Sequence, residues 1–112
     1  MMQMFTWQTG QVAALVWGID AVLVAGSAFL DPSAGVAVRN AIGAVLFLLA
    51  AVLLAWRARS VAAACRAGLS PAVELSLLRS ELAGAAVMAL LGVLMLAAIA
   101  SRVFGEGLPV LG

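Results

Sequence analysis

The chain has no histidine, no lysine and no tyrosine, only one cysteine, and charge at only 10% of its 112 positions. Without histidine there is no His-ligated haem, no His-ligated chlorophyll-type pigment and no histidine-based triad. With Cys65 as the single thiol there is no intrachain disulfide and no zinc or iron–sulfur cluster site. The lack of lysine removes the amine nucleophile. Scarce charge combined with high hydrophobicity excludes disorder, which needs the opposite balance. No basic-aromatic surface points to nucleic acid, and the net charge is only +1. Catalysis by this chain alone is not expected.

What is present is apolar: 66% hydrophobic residues with 11 glycines and a mean hydropathy of +1.21. A soluble domain uses far fewer apolar and far more charged residues. Three stretches are long enough to cross a hydrocarbon core of about 30 Å, which takes roughly 20 helical residues. They cover residues 10–30, with Asp20 as the one charge, residues 34–56, with Arg39 near the start, and residues 82–101, with none. The short alternating segments of a β-barrel are absent. The sequence therefore predicts an all-α integral membrane protein of three transmembrane helices, residues 1–112 forming one membrane domain.

Orientation follows from arginine. Arg57, Arg59, Arg66 and Arg79 all lie between the second and third stretches, while the first connection holds only Arg39 at its far end. Excess arginine marks the cytoplasmic side. The N-terminus is then expected in the cytoplasm and the C-terminus in the periplasm of a bacterial inner membrane. Trp7 and Trp56 fall at one cytoplasmic interface, as belt aromatics do. Residues 1–11 lack the basic start of a cleavable signal peptide.

The cytoplasmic connection reads as helix rather than loop. RARSVAAACRA (57–67) is rich in helix formers. Gly68 offers a stop, and Ser70-Pro71 offers a cap followed by a first-turn proline. The second helix is expected to continue to 67 and the third to run over 71–103, as a long antiparallel hairpin with a cytoplasmic stalk. If it turns about position 70, Arg66 faces Glu74 and Arg59 faces Glu81 as stalk salt bridges. Deeper in, Ala55 faces Ala85, Val52 faces Met88, Ala51 faces Ala89 and Leu48 faces Gly92. Small residues on both sides favour close approach, the main source of helix association in lipid. Arg39 and Arg57 point away from this stripe.

Asp20 lies midway along the first stretch, where an ionisable group costs about 2.5–3.5 kcal/mol and marks a functional site by default. Its face holds Trp17 and Ser27, and the ridge Gly10, Ala14, Gly18 lies on the other side of the helix. Nothing in the third stretch is polar between Glu81 and Ser101, and Arg39 would have to reach about 10 Å inward against its tendency to snorkel. Asp20 then either keeps its proton, bonded to a backbone carbonyl, or meets a group from outside the chain.

Two functions fit these features. One is a non-catalytic accessory subunit of a larger inner-membrane complex, of respiratory or photosynthetic type. Such a subunit would pack against other integral membrane subunits and lipids, with Asp20, Trp17, Ser27 and Arg39 as partner contacts. No cofactor is ligated by side chains; contact with lipid, quinone or carotenoid stays open. The alternative is a small homo-oligomeric proton- or cation-coupled transporter or channel that uses Asp20.

Overall fold

The computed structural model describes residues 2–31 and 33–111. Those residues fold into three long helices and no strand: α1 (Met2–Ser27), α2 (Ala34–Arg66) and α3 (Pro71–Ala100). A 3₁₀ turn, Ala28–Leu30, closes α1, and a π-helical turn, Ser101–Gly105, closes α3. Each helix, taken with its closing turn, is long and apolar enough to cross a membrane. The element boundaries have local causes. Asp31 Oδ1 accepts from the Ser33 amide at 2.9 Å, and the Ser33 hydroxyl accepts from the Val36 amide at 3.4 Å, capping α2. Gly68 turns the chain with φ +94°, a left-handed conformation that favours glycine. Pro71 then sits in the first turn of α3, where its missing N–H costs no helical bond.

The helices lie in an open row of about 55 × 22 × 14 Å with α1 in the middle. α1 runs antiparallel to α2, with Gly10 against Ala58, Val24 against Gly43 and Ser27 against Asn40. It runs parallel to α3, with Trp17 against Met88 and Gly92. The inward line of α1 is a continuous seam at spacings of four and three: Thr6, Gly10, Ala13, Trp17, Asp20, Val24 and Ser27. All are buried except Trp17, which is half-buried. Such a 3.5-residue repeat belongs to left-handed helix packing, and small or polar side chains fill most of this one. A Cβ placed on Gly10 would stand 3.0 Å from the Ala58 Cβ, so the glycine is what permits that approach.

The expected direct hairpin of α2 on α3 is therefore not formed. The two helices meet only sparsely, and α1 fills the space between them. Of the residues assigned to that hairpin interface, Ala51 and Gly92 are buried and Ala55, Ala85, Met88 and Ala89 are half-buried. Leu48 and Val52 are 53% and 56% exposed. The physical reason is the solvent. Hydrocarbon solvates leucine and valine as well as a protein interior does, so there is no drive to bury them, and small-residue faces go wherever backbones come closest. That place is α1.

The stalk pairing changes accordingly. Glu81 pairs with Arg57, whose Nε lies 2.9 Å from both carboxylate oxygens and whose Nη2 lies 2.5 Å from Oε1. Arg57 stands two residues from Arg59 and so projects from nearly the opposite side of the helix. Glu74 accepts instead from the amide of Gln3 on α1. Arg59 and Arg66 form no ion pair among the described residues. With α1 wedged between the flanking helices, the facing surfaces of α2 and α3 are no longer those of a two-helix hairpin.

Oxidative cross-linking discriminates the two arrangements. In a Cys65→Ser background, Gly10→Cys with Ala58→Cys is expected to form a disulfide in membranes, the two Cβ positions standing 3.0 Å apart, so that only a slight widening reaches disulfide geometry. Val52→Cys with Met88→Cys is expected to stay reduced. The opposite pattern would restore the direct hairpin.

Candidate functional site

Along the α1 seam the buried side chains with polar atoms are few, and each meets a different fate. Thr6 returns its hydroxyl proton to the Met2 carbonyl at 2.8 Å, the local bond a helical threonine makes one turn back. Trp17 reaches both flanking helices. Its Nε1–H donates to the Met88 carbonyl of α3 at 2.9 Å, and its ring centroid lies 5.3 Å from that of Phe47 on α2, tilted by 33°. A helical carbonyl keeps a second lone pair for such a donor. The side chain four residues on leans back over that carbonyl, so access requires a small residue there. Gly92 supplies it: a Cβ at that position would stand 3.0 Å from Trp17 Nε1 and 2.9 Å from Val16 Cγ1.

Asp20, one turn beyond Trp17, has none of its surface exposed, and neither carboxyl oxygen has a hydrogen-bond partner among the described residues. It lines none of five hollows on the three-helix unit. An unpartnered ion at such depth is far more costly than an unpartnered neutral acid. The fully buried carboxyl faces the interior of the three-helix unit rather than its outer surface.

Ser27 and Asn40, both buried, form the third polar site. The Ser27 hydroxyl lies 2.7 Å from the Val24 carbonyl and 3.0 Å from Asn40 Oδ1, and it accepts the Val110 amide at 3.2 Å. Asn40 pairs with the backbone of Leu111 at two points: Nδ2 donates to the Leu111 carbonyl and Oδ1 accepts the Leu111 amide, both at 3.1 Å. Nδ2 also donates to the Val36 carbonyl at 2.9 Å. Arg39 is exposed and turns outward, its Nε 3.4 Å from the Leu111 carbonyl, which keeps it away from Asp20.

The four residues read from sequence as one contact surface thus separate. Trp17 ties the helices together, Ser27 and Arg39 hold the segment after α3, and Asp20 stands alone. Asn40 and Gly43, which complete the Ser27 site, were not among the residues singled out. Asn40 was nonetheless visible as the one amide in the second apolar stretch.

Three hollows flank α1. One of about 450 Å³ lies between Thr6, Trp7, Val61, Cys65, Arg66 and Leu78. A second, about 280 Å³, lies between α2 and α3 beneath the Arg57–Glu81 pair, with Gly10 at its floor. The third is an open groove of about 580 Å³ lined by Gln11, Ala14, Gly18, Ala51 and Ala55. Cys65 lies beyond the apolar stretch that ends at Trp56, and burial, with the Glu74 charge adding, pushes its thiol up. The thiolate is the reactive form, so alkylation at neutral pH is expected to be slow until the protein is unfolded; fast labelling of the folded protein would contradict the burial. No group of three or more His, Cys, Asp or Glu side chains gathers as metal ligands among the described residues.

Gly92→Val is expected to displace the indole, break the bond to Met88 and overpack the α1–α3 contact, at about 1–3 kcal/mol. Trp17→Phe, which removes only the donor, should cost less, about 0.6 kcal/mol, the average for hydrogen bonds between membrane helices. Unfolding in mixed micelles by SDS titration measures both. A Gly92→Val variant as stable as the parent would exclude this contact. Comparison with known proteins gives no match: no family model, no curated protein and no solved structure aligns significantly with the chain.

Proposed function

We propose that this chain is a non-catalytic accessory subunit of a larger bacterial inner-membrane complex, with its N-terminus and arginine-rich end in the cytoplasm and the C-terminus in the periplasm. It packs laterally against other integral membrane subunits and lipids, and the host complex is of respiratory or photosynthetic type. The observation that carries this reading over transport is the placement of Asp20. A transporter or channel needs a path to its intramembrane carboxylate, whereas this one has none of its surface exposed and borders none of the three hollows that flank α1. A polar residue so placed fits the role of setting helix register, as a buried polar position does in coiled coils.

The outward surface supports the same reading. In the most apolar window of α3 only 11% is buried within the chain, against 33% in α1. The helix richest in apolar residues is the one most given over to lipid or to neighbours. Partner contacts are then made by the outer faces of the three helices, with Asp20 and Trp17 serving the chain's own interior.

The alternative, a homo-oligomeric proton- or cation-coupled transporter, rests on the same unpartnered carboxyl. One experiment separates the two. Extraction into nanodiscs, followed by native sizing and mass spectrometry, is expected to give a large assembly with stoichiometric foreign subunits. A homo-oligomer without companions would overturn the accessory reading. Asp20→Asn is then the check on mechanism, since it keeps shape while removing the acid. It is expected to leave assembly intact and proton-dependent solute uptake unaffected; loss of such uptake with assembly intact would instead identify Asp20 as a transport site.

A further inference from the structure

The segment after α3 does not trail away. The π-helical turn Ser101–Gly105 ends α3, and Gly107, with φ +67°, helps reverse the chain. The Leu108 amide donates back to the Arg102 carbonyl at 3.1 Å, and Arg102 Nε donates to the Pro109 carbonyl at 2.6 Å. Residues 109–111 then cross to the far ends of α1 and α2. There the Val110 amide meets Ser27, and the amide and carbonyl of Leu111 meet Asn40. The Leu111 side chain occupies the notch left by Gly43, where an added Cβ would stand 2.5 Å from its Cδ1. Pro109 is buried beside this contact.

The mechanical consequence lies in the topology. α2 and α3 flank α1 and meet each other only sparsely. At one end the short 67–70 turn and the Arg57–Glu81 pair join them. At the other end residues 109–111 are what reach α2 from α3. We propose that this segment is a strap, closed by Asn40, Ser27 and Gly43, that holds the far end of α3 to α2 and fixes the separation of the two flanking helices. Asn40 reads only backbone atoms of the strap, so the recognition is of an extended peptide edge with an aliphatic side chain over Gly43. Opening requires exchanging a few hydrogen bonds at a membrane–water boundary, where water replaces them at a small net cost each. The strap is thus a device that opens far more readily than the helices separate.

Two measurements test it in nanodiscs holding one copy each. In the parent protein the amides of Val110 and Leu111 are expected to exchange hydrogen at least tenfold more slowly than in a free peptide of the same sequence. Exchange at the free rate means that the strap is not closed and overturns the proposal. Protection seen only when two copies share a disc also overturns it, since the segment would then be docking on a second chain. Asn40→Leu retains bulk without hydrogen bonding and should bring the exchange to the free rate. In the same variant, spin labels on Val45→Cys and Leu94→Cys, in a Cys65→Ser background, should show a broadened and longer distance distribution. Unchanged exchange and distances in Asn40→Leu refute the strap. The parent measurement decides alone if that variant fails to fold.

Discussion

Everything in this fold leans on the close approach of two helices to α1, because in hydrocarbon nothing else draws apolar helices together. Water provides no drive once leucine and valine are equally well solvated by lipid tails, and contact must come from dispersion at short range. Gly10 beneath Ala58, Gly43 beneath Leu111 and Val24, and Gly92 beneath Trp17 are the three places where the missing side chain lets the neighbours close in. Each lies on a contact involving the α1 seam or the segment that closes over its end.

The same constraint explains why α1 is the central helix. Asp20 and Ser27 would be costly facing lipid, so the helix carrying them is enclosed by two whose charged residues lie toward their ends. Thr6 and Ser27 satisfy themselves locally or with Asn40, as backbone-bonded hydroxyls do. Asp20 has no such partner among the described residues and stands enclosed in the α1 seam. A molecule organised in this way has its polar residues inside and its oil outside, and its outer faces are free for lateral association.

Several features were legible residue by residue. Three apolar stretches, one interrupted by a lone carboxyl, identify an all-helical chain with helices long enough to span. Gly68 and Pro71 punctuate the second turn because a left-handed bend and a first-turn proline are local requirements. Small residues on α2 and α3 were read as material for packing those two helices against each other, whereas Gly92 meets Trp17 and Val16 of α1. The rule of facing residues about a tight turn presumes that two consecutive helices are neighbours along their whole length. Here they diverge, and Arg57 rather than Arg59 meets Glu81.

The sequence by itself determined hydrophobic length, helical state and the position of each turn, because these depend on composition and on contacts within a few residues. Only the tertiary structure decided that α1 lies between its two successors, that Asp20 faces inward, and that residues 109–111 return to Asn40. Those outcomes depend on which of several small-residue faces approach most closely, and on hydrogen bonds between residues 71 to 83 positions apart. In a medium that rewards every apolar burial equally, only the three-dimensional fit of such faces separates the alternatives.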